Sequence, residues 1–182
     1  ASDGERILCH ISNFRPVKRV DDVLRVFAKV NAELPSKLIL VGDGPDRYHC
    51  ERLCRELNLC DQVIFLGKVR DTSHVLEMAD VFLLPSETES FGLAALEAMA
   101  VGVPVISSNT GGIPEVNIHG YSGYLSDVGD IDDMAKNTLE LLKPENHPAF
   151  KKQAKLRSEE FSLARILPMY EELYRKLVQT KS

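Results

Sequence analysis

An α/β fold, built on a parallel sheet with helices on both faces, follows from two features of the chain. Short, continuously apolar runs alternate with longer segments of helical periodicity, and the joints after the apolar runs are rich in Gly and polar residues. Apolar runs without polar alternation belong to strands buried on both faces, which is the condition of a parallel sheet flanked by helices. With 182 residues, 44% of them hydrophobic, the chain can enclose the core of one domain.

The elements follow in order. Arg6–Ser12 reads as a strand, Asn13–Arg19 as a basic loop, and Val20–Leu34 as a helix whose Val23, Leu24, Val26, Phe27 and Val30 share a face. Lys37–Val41 is a strand that runs into Gly42-Asp-Gly44-Pro45, and Asp46–Leu57 is a helix. Gln62–Leu66 is a strand and Thr72–Met78 a helix. Val81–Leu84 (strand), Phe91–Ala100 (helix) and Val103–Ser107 (strand) continue the alternation, followed by Asn109-Thr-Gly111-Gly112-Ile-Pro114-Glu115, where Pro114 suits the first turn of a short helix. Tyr124–Ser126 fits a short edge strand. From Ile131 the pattern is helical almost to the end, broken near Pro144 and Pro148. The segment Lys143–Lys152 reads as solvated surface, either loop or interrupted helix.

Composition narrows the function. A net charge of −5 and a pI near 5.6 argue against a nucleic-acid surface, which needs a clustered basic stripe. No stretch reaches the ~20 apolar residues of a membrane span, and the polar N-terminus lacks the apolar core of a signal peptide. Of the four cysteines, Cys9 lies in an apolar strand. Cys50 and Cys54 share a helix face beside His49, with Cys60 just beyond. No CxxC pair accompanies them, so reduced thiols of a cytoplasmic protein are expected rather than a zinc site. His10, His49, His74, His119 and His147 have no ligand spacing. The pairs Asp21-Asp22 and Asp132-Asp133 start helices, where they complement the dipole. Neither a metal nor another cofactor is expected. The parts of a nucleophile elbow and of a P-loop are missing.

A sheet of this class binds ligands beyond the carboxyl ends of its strands. That rim collects Asn13–Arg19, Gly42–Pro45, Gly67–Asp71, Ser86–Gly92 and Asn109–Glu115. The most telling segment is Glu89-Ser-Phe-Gly-Leu-Ala-Ala-Leu-Glu97, directly after the apolar run Val81–Leu84. A loop entering a helix presents unpaired N–H groups to an anion. Glu89 stands in that loop, and Glu97 lies on a helix apolar on nearly every side, where a buried carboxylate needs donors. Phosphate donors beside carboxylate acceptors suit a nucleotide sugar. The competing reading pairs Glu97 with a cation of the fold. Arg15 and Lys18 supply positive charge for a diphosphate, or else, with Arg19, complement Asp21 and Asp22. Gly42 and Gly44, like Gly111-Gly112, serve tight turns or close backbone approach to a ligand.

The ordered series Phe82-Leu-Leu-Pro-Ser, Glu89-Ser-Phe-Gly, Glu97-Ala-Met-Ala, Gly102-Val-Pro-Val-Ile, Gly111-Gly-Ile-Pro-Glu and Gly120-Tyr-Ser-Gly123-Tyr-Leu resembles the retaining glycosyltransferases of family 4. It is similar to the C-terminal, donor-binding, Rossmann-like half of their GT-B fold, over nearly the whole chain. His10-Ile-Ser-Asn-Phe-Arg-Pro-Val-Lys-Arg19 narrows the likeness to members that transfer N-acetylglucosamine from UDP to L-malate in bacillithiol biosynthesis.

The resemblance implies catalytic roles for Lys18, at the diphosphate, and Glu89, at the sugar hydroxyls. It implies donor binding by Arg15, Gly42, Ser90 and the amides of Phe91, Gly92 and Leu93. Glu97 would hold the ribose, and the backbone of Lys68 and Val69 would meet the uracil. Many relatives carry Gly-Arg where this chain has Ser12-Asn13, with Arg15 standing nearby. The partners implied are UDP-N-acetylglucosamine or UDP, an acceptor domain expected to precede Ala1, and a homo-oligomer of the longer chain. The helix Ser162–Thr180 is expected to run back toward that domain, leaving its apolar face (Leu163, Ile166, Leu167, Tyr170, Leu173, Tyr174, Leu177) partly exposed. Alternatives are another acceptor or sugar, a GT-B epimerase or phosphorylase, and a non-catalytic flavodoxin-like module.

Overall fold

The computed structural model describes residues 4–179. Six strands form one sheet, β1 (Arg6–Ile11), β2 (Ser36–Val41), β3 (Val63–Gly67), β4 (Val81–Leu84), β5 (Val105–Ser108) and β6 (Gly123–Ser126), in the order β3-β2-β1-β4-β5-β6. Every neighbouring pair is parallel. The eight helices among the described residues are α1 (Val20–Glu33), α2 (Arg47–Glu56), α3 (Ser73–Glu77), α4 (Leu93–Ala100), α5 (Ile113–Val116), α6 (Ile131–Leu141), α7 (His147–Glu159) and α8 (Leu163–Gln179).

Alternate residues of each strand feed two cores. Leu8, Leu38, Leu40, Val63, Leu83 and Ile106 pack with α1, α2 and α6 on one face. Cys9, Ile39, Val41, Phe82, Leu84 and Val105 pack with α3, α4, α5 and α7 on the other. This two-sided burial is why the strands read as unbroken apolar runs. The expected elements are present, with ends displaced by a residue or two, and the edge strand begins at Gly123.

Two expectations change. Lys143–Lys152 is not merely solvated: α7 starts within it, and His147 and Phe150 are buried. His147 fastens α7 beneath the sheet by donating from Nε2 to the Asp80 carbonyl at 2.9 Å. Asp80 in turn accepts from the Ile7 amide at 2.8 Å and from Arg6 at 3.1 Å. Burial lowers the His147 pKa from its ordinary value, more than the Asp80 contacts raise it. The second change concerns α4. It is apolar in sequence yet not enclosed, because it lies at the rim with Leu93, Glu97 and Ala100 exposed and only Ala95, Ala98 and Met99 fully in the core.

Along α8, Leu163, Leu167, Tyr170 and Tyr174 are exposed, as expected, and so is Met169, while Ile166 is half-buried. The side chains of Leu173 and Leu177, and Thr180 altogether, lie outside the described residues.

Candidate functional site

Between β1 and β4 the strand order reverses, and the crevice opened there is where sheets of this type receive ligands. The five predicted rim loops meet along that edge, joined by backbone hydrogen bonds. Gly42 donates to the Gly67 carbonyl at 2.8 Å, Phe14 to Asp43 at 3.1 Å, Glu87 to Val17 at 2.9 Å and Gly112 to Glu89 at 3.0 Å.

On the β1 side, buried Phe14 anchors the loop by accepting from the Asp46 amide at 3.0 Å. A single 3-10 turn, Pro16–Lys18, then delivers Lys18, and Arg19 turns the chain into α1 with φ of 49°. Arg19 is taken by Asp22, Nε to Oδ2 at 2.6 Å. For Arg19, therefore, the reading as complement to the acidic start of α1 holds. Burial raises the Asp22 carboxyl pKa more than this contact lowers it. Arg15 is exposed, and its side chain has no ion-pair partner among the described residues.

On the β4 side, Glu89 meets Lys18, with Nζ donating to Oε2 at 2.6 Å. Both side chains are largely shielded, 21% exposed for Lys18 and 16% for Glu89. The two residues assigned to catalysis from sequence thus stand together across the switch point, separated by 71 positions in the chain. Beyond Glu89, Gly92 adopts φ of 91° and caps α4 without a side-chain bond. The amides of Phe91, Gly92 and Leu93 donate to no acceptor among the described residues. A helix start left open in this way is an anion cradle. Ser90 is exposed beside it, and half-buried Phe91 sets its ring edge-on to Phe161 at 5.7 Å.

The rim glycines make close approaches between segments of the chain. A Cβ on Gly111, whose φ is 55°, would lie 1.9 Å from the Glu89 carbonyl oxygen, and one on Gly112 would lie 2.2 Å from that of Ser90. These glycines let the 109–112 loop press on the Glu89–Phe91 backbone. Gly42 has φ of 128°, and its Cβ would lie 1.7 Å from the Ser12 carbonyl oxygen. The close approach suggested for Gly42 is therefore made to the neighbouring loop.

Glu97 overturns the expectation of burial. It is exposed, with neither an ion pair nor a hydrogen bond among the described residues, so no cation of the fold claims it. It faces a cleft of about 350 Å³ shared with Arg70, Asp71, Thr72, Ser73 and Leu76. Lys68 and Val69, just before that cleft, are exposed. Sequence reasoning placed Arg70 and Asp71 on the rim within Gly67–Asp71 but missed Thr72 and Ser73 as part of the same wall, although their place directly after that loop was the available signal.

Beneath the switch point lies a second omission, His10. Nδ1 donates to the Leu83 carbonyl at 2.8 Å, which leaves Nε2 to accept from the Ser12 hydroxyl at 2.8 Å. Burial first, then the nearby charge of Lys18, push its pKa down to about 4 against the raising effect of the Leu83 bond. A neutral imidazole therefore pins β1 to β4 below the Lys18–Glu89 pair.

No group of three or more His, Cys, Asp or Glu side chains among the described residues is placed to hold a metal ion. One Asp-x-Asp triplet, Asp130-Ile131-Asp132, is present, and both of its carboxylates are engaged at the start of α6. Asp130 caps α6 by accepting from the Asp133 amide at 2.9 Å, and Asp132 pairs with Lys29 at 2.8 Å. The four cysteines are unpaired, with Cys9, Cys50 and Cys54 buried. Burial pushes the thiols of Cys9 and Cys50 up to about 12 and that of Cys54 up to about 11, which suppresses the thiolate. No helix among the described residues is long and apolar enough to cross a membrane.

Known proteins resemble this chain in sequence and fold. The chain is 48% identical over 175 residues to N-acetyl-alpha-D-glucosaminyl L-malate synthase of Bacillus anthracis, an alignment spanning 95% of this chain and 46% of that protein. A crystal structure of an S. aureus TarM mutant, in complex with Fondaparinux, alpha-GlcNAc-glycerol and UDP, superposes with a TM-score of 0.86 at 26% identity, covering 94% of this chain and 36% of that one. Sucrose-phosphate synthase from Thermosynechococcus elongatus superposes with a TM-score of 0.87 at 29% identity, covering 99% of this chain and 47% of the other. The chain thus spans less than half the length of these relatives. The family of glycosyl transferases group 1 matches residues 1–159, and with the Rossmann-like sheet and its rim in place, the chain belongs to that family and carries one half of a GT-B fold.

Proposed function

We propose that this chain is the donor-binding half of a retaining glycosyltransferase that moves N-acetylglucosamine from UDP-N-acetylglucosamine to L-malate, in the cytoplasm and within bacillithiol biosynthesis. The observation that carries the donor half is the switch-point crevice. It brings a lysine, a glutamate and three free amides together, with a second, unpaired glutamate farther along α4 in a cleft with the 70–73 segment. The choice of sugar and acceptor is supported by the 48% identity to the malate synthase.

In this reading the diphosphate lies on the amides of Phe91, Gly92 and Leu93, with Lys18 against its charge. Arg15, exposed at the mouth, adds a second cation, and Ser90 borders the same cradle. Glu97 accepts from the ribose hydroxyls, the uracil meets the backbone at Lys68 and Val69, and Glu89 accepts from the sugar hydroxyls. Gly42 holds the neighbouring loop close enough to complete the floor.

Departure of UDP develops negative charge on the β-phosphate, and fixed donors aimed at that charge lower the barrier. The departing diphosphate is also the nearest base for the acceptor's proton. In this proposal the acceptor pocket belongs to an N-terminal domain, and the full chain forms a homo-oligomer. Lysine and amides supply the countercharge, so the chain is expected to bind UDP without a divalent metal. Calorimetric titration of UDP in the presence of EDTA tests this: unchanged heat supports it, and binding that vanishes on chelation overturns it.

A further inference from the structure

The Lys18–Glu89 contact does more than place two functional groups side by side. Each is the other's partner across the crevice, at 2.6 Å and mostly shielded from water. No other cation or anion among the described residues forms an ion pair with either, and Glu87, the nearest acidic neighbour along the loop, points its backbone to Val17. A ligand that draws Lys18 away therefore leaves Glu89 shielded and unpaired. Separating a shielded pair costs more than a surface pair would, because the abandoned charge keeps little water.

We propose that this ion pair is a specificity device that distinguishes the intact nucleotide sugar from its nucleoside diphosphate product. The proposal rests on the donor-site reading above and goes beyond it by assigning Glu89 a role against the product. UDP takes Lys18 but offers Glu89 nothing, and its terminal phosphate brings a second negative charge toward the carboxylate. The intact donor takes Lys18 with its diphosphate and presents hydroxyl groups to Glu89, so both charges end with partners. The penalty falls on the product alone. After transfer, Glu89 recovers Lys18 as the diphosphate leaves, which favours release of UDP over its retention.

The arrangement has a counterintuitive consequence. Removing a residue of the donor site should tighten binding of part of the ligand. Glu89→Gln abolishes both the competition for Lys18 and the repulsion of the phosphate, so UDP should bind about three- to tenfold more tightly. UDP-N-acetylglucosamine should not gain in the same variant, because a neutral amide accepts more weakly from its hydroxyls. The preference for donor over product therefore shrinks. Glu89→Ala, which cannot re-form a hydrogen bond to Lys18, should show the same tightening of UDP.

Calorimetry of UDP and UDP-N-acetylglucosamine on the wild type, Glu89→Gln, Glu89→Ala and Lys18→Met decides the matter, with thermal unfolding to confirm that each variant is folded. Tighter UDP in both Glu89 variants without an equal gain for UDP-N-acetylglucosamine, together with weaker UDP in Lys18→Met, supports the proposal, and an equal gain for both ligands overturns it. If UDP weakens or stays unchanged in both Glu89 variants while Lys18→Met still loses affinity, the discrimination is overturned and the donor site stands. If Lys18→Met binds UDP as the wild type does, the donor-site reading fails along with it.

Discussion

Among single residues, Glu97 changes meaning most between sequence and structure. On an apolar helix it suggests a buried carboxylate in need of a partner. In place it is exposed to a cleft and unpaired, which removes the ion-pair explanation and leaves its charge free for a ligand. Glu97→Gln should therefore weaken UDP binding by about 1.5–3 kcal/mol, the scale of a hydrogen bond to a charged group. Its thermal midpoint should barely move, since an exposed side chain without contacts contributes little to stability. Paired calorimetry and thermal melts check this. A lower midpoint with undiminished affinity would return Glu97 to a structural role. Gly111 and Gly112 carry the opposite lesson. Their identity follows from the Glu89–Ser90 backbone pressed against them, so they serve the site by letting its loops pack.

Among elements, the edge strand β6 depends on one side chain. Asn117, buried after α5, donates from Nδ2 to the Val105 carbonyl at 3.1 Å, the Ser107 hydroxyl at 2.9 Å and the Tyr124 carbonyl at 3.3 Å, and accepts from Ser122 at 3.0 Å. A four-residue strand has few ladder bonds of its own, and this amide substitutes for a missing neighbour. Asn117→Ala should destabilise the fold by about 1–3 kcal/mol, because buried acceptors lose their donor. Loss of amide protection should be largest in Gly123–Ser126, read by hydrogen exchange. Uniform loss across β1 and β4 instead would show that β6 is not a separately held element. By the same logic α7 is fixed at both ends, by His147 on Asp80 and by Arg157 on the carbonyls of Glu115 and Val116.

At the scale of the whole molecule, the function proposed above makes the rim the leaving-group side of the reaction, with its cations, amides and carboxylates. Transfer also requires an acceptor oxygen aligned with the anomeric carbon, and such alignment supplies ~7–11 kcal/mol of a barrier's reduction. By the function proposed here that alignment comes from outside these 182 residues. Incubated with UDP-N-acetylglucosamine and L-malate, the chain by itself should yield no glycoside by mass spectrometry, whereas the full-length enzyme should. Turnover by the chain alone would show a complete site and overturn the division of labour. The exposed Leu163, Leu167, Met169, Tyr170 and Tyr174 of α8 form an apolar face to which no element among the described residues is matched.

The sequence by itself determined the parallel α/β class, the order of its elements and the rim on which the loops gather. Continuous apolar strands and periodic helices report local burial, and burial pattern is a one-dimensional property. The family motifs further singled out Lys18, Glu89, the Phe91–Leu93 amides and Glu97. Only the tertiary structure decided what those residues touch: the pairing of Lys18 with Glu89 across 71 positions, the exposure of Glu97 and the burial of His147. It likewise gave Gly42 and Gly111-Gly112 a packing role, as clearances between neighbouring loops. Each of these depends on which strands lie side by side. The β1–β4 reversal that creates the crevice joins segments distant in the chain, and no local periodicity encodes such a neighbour.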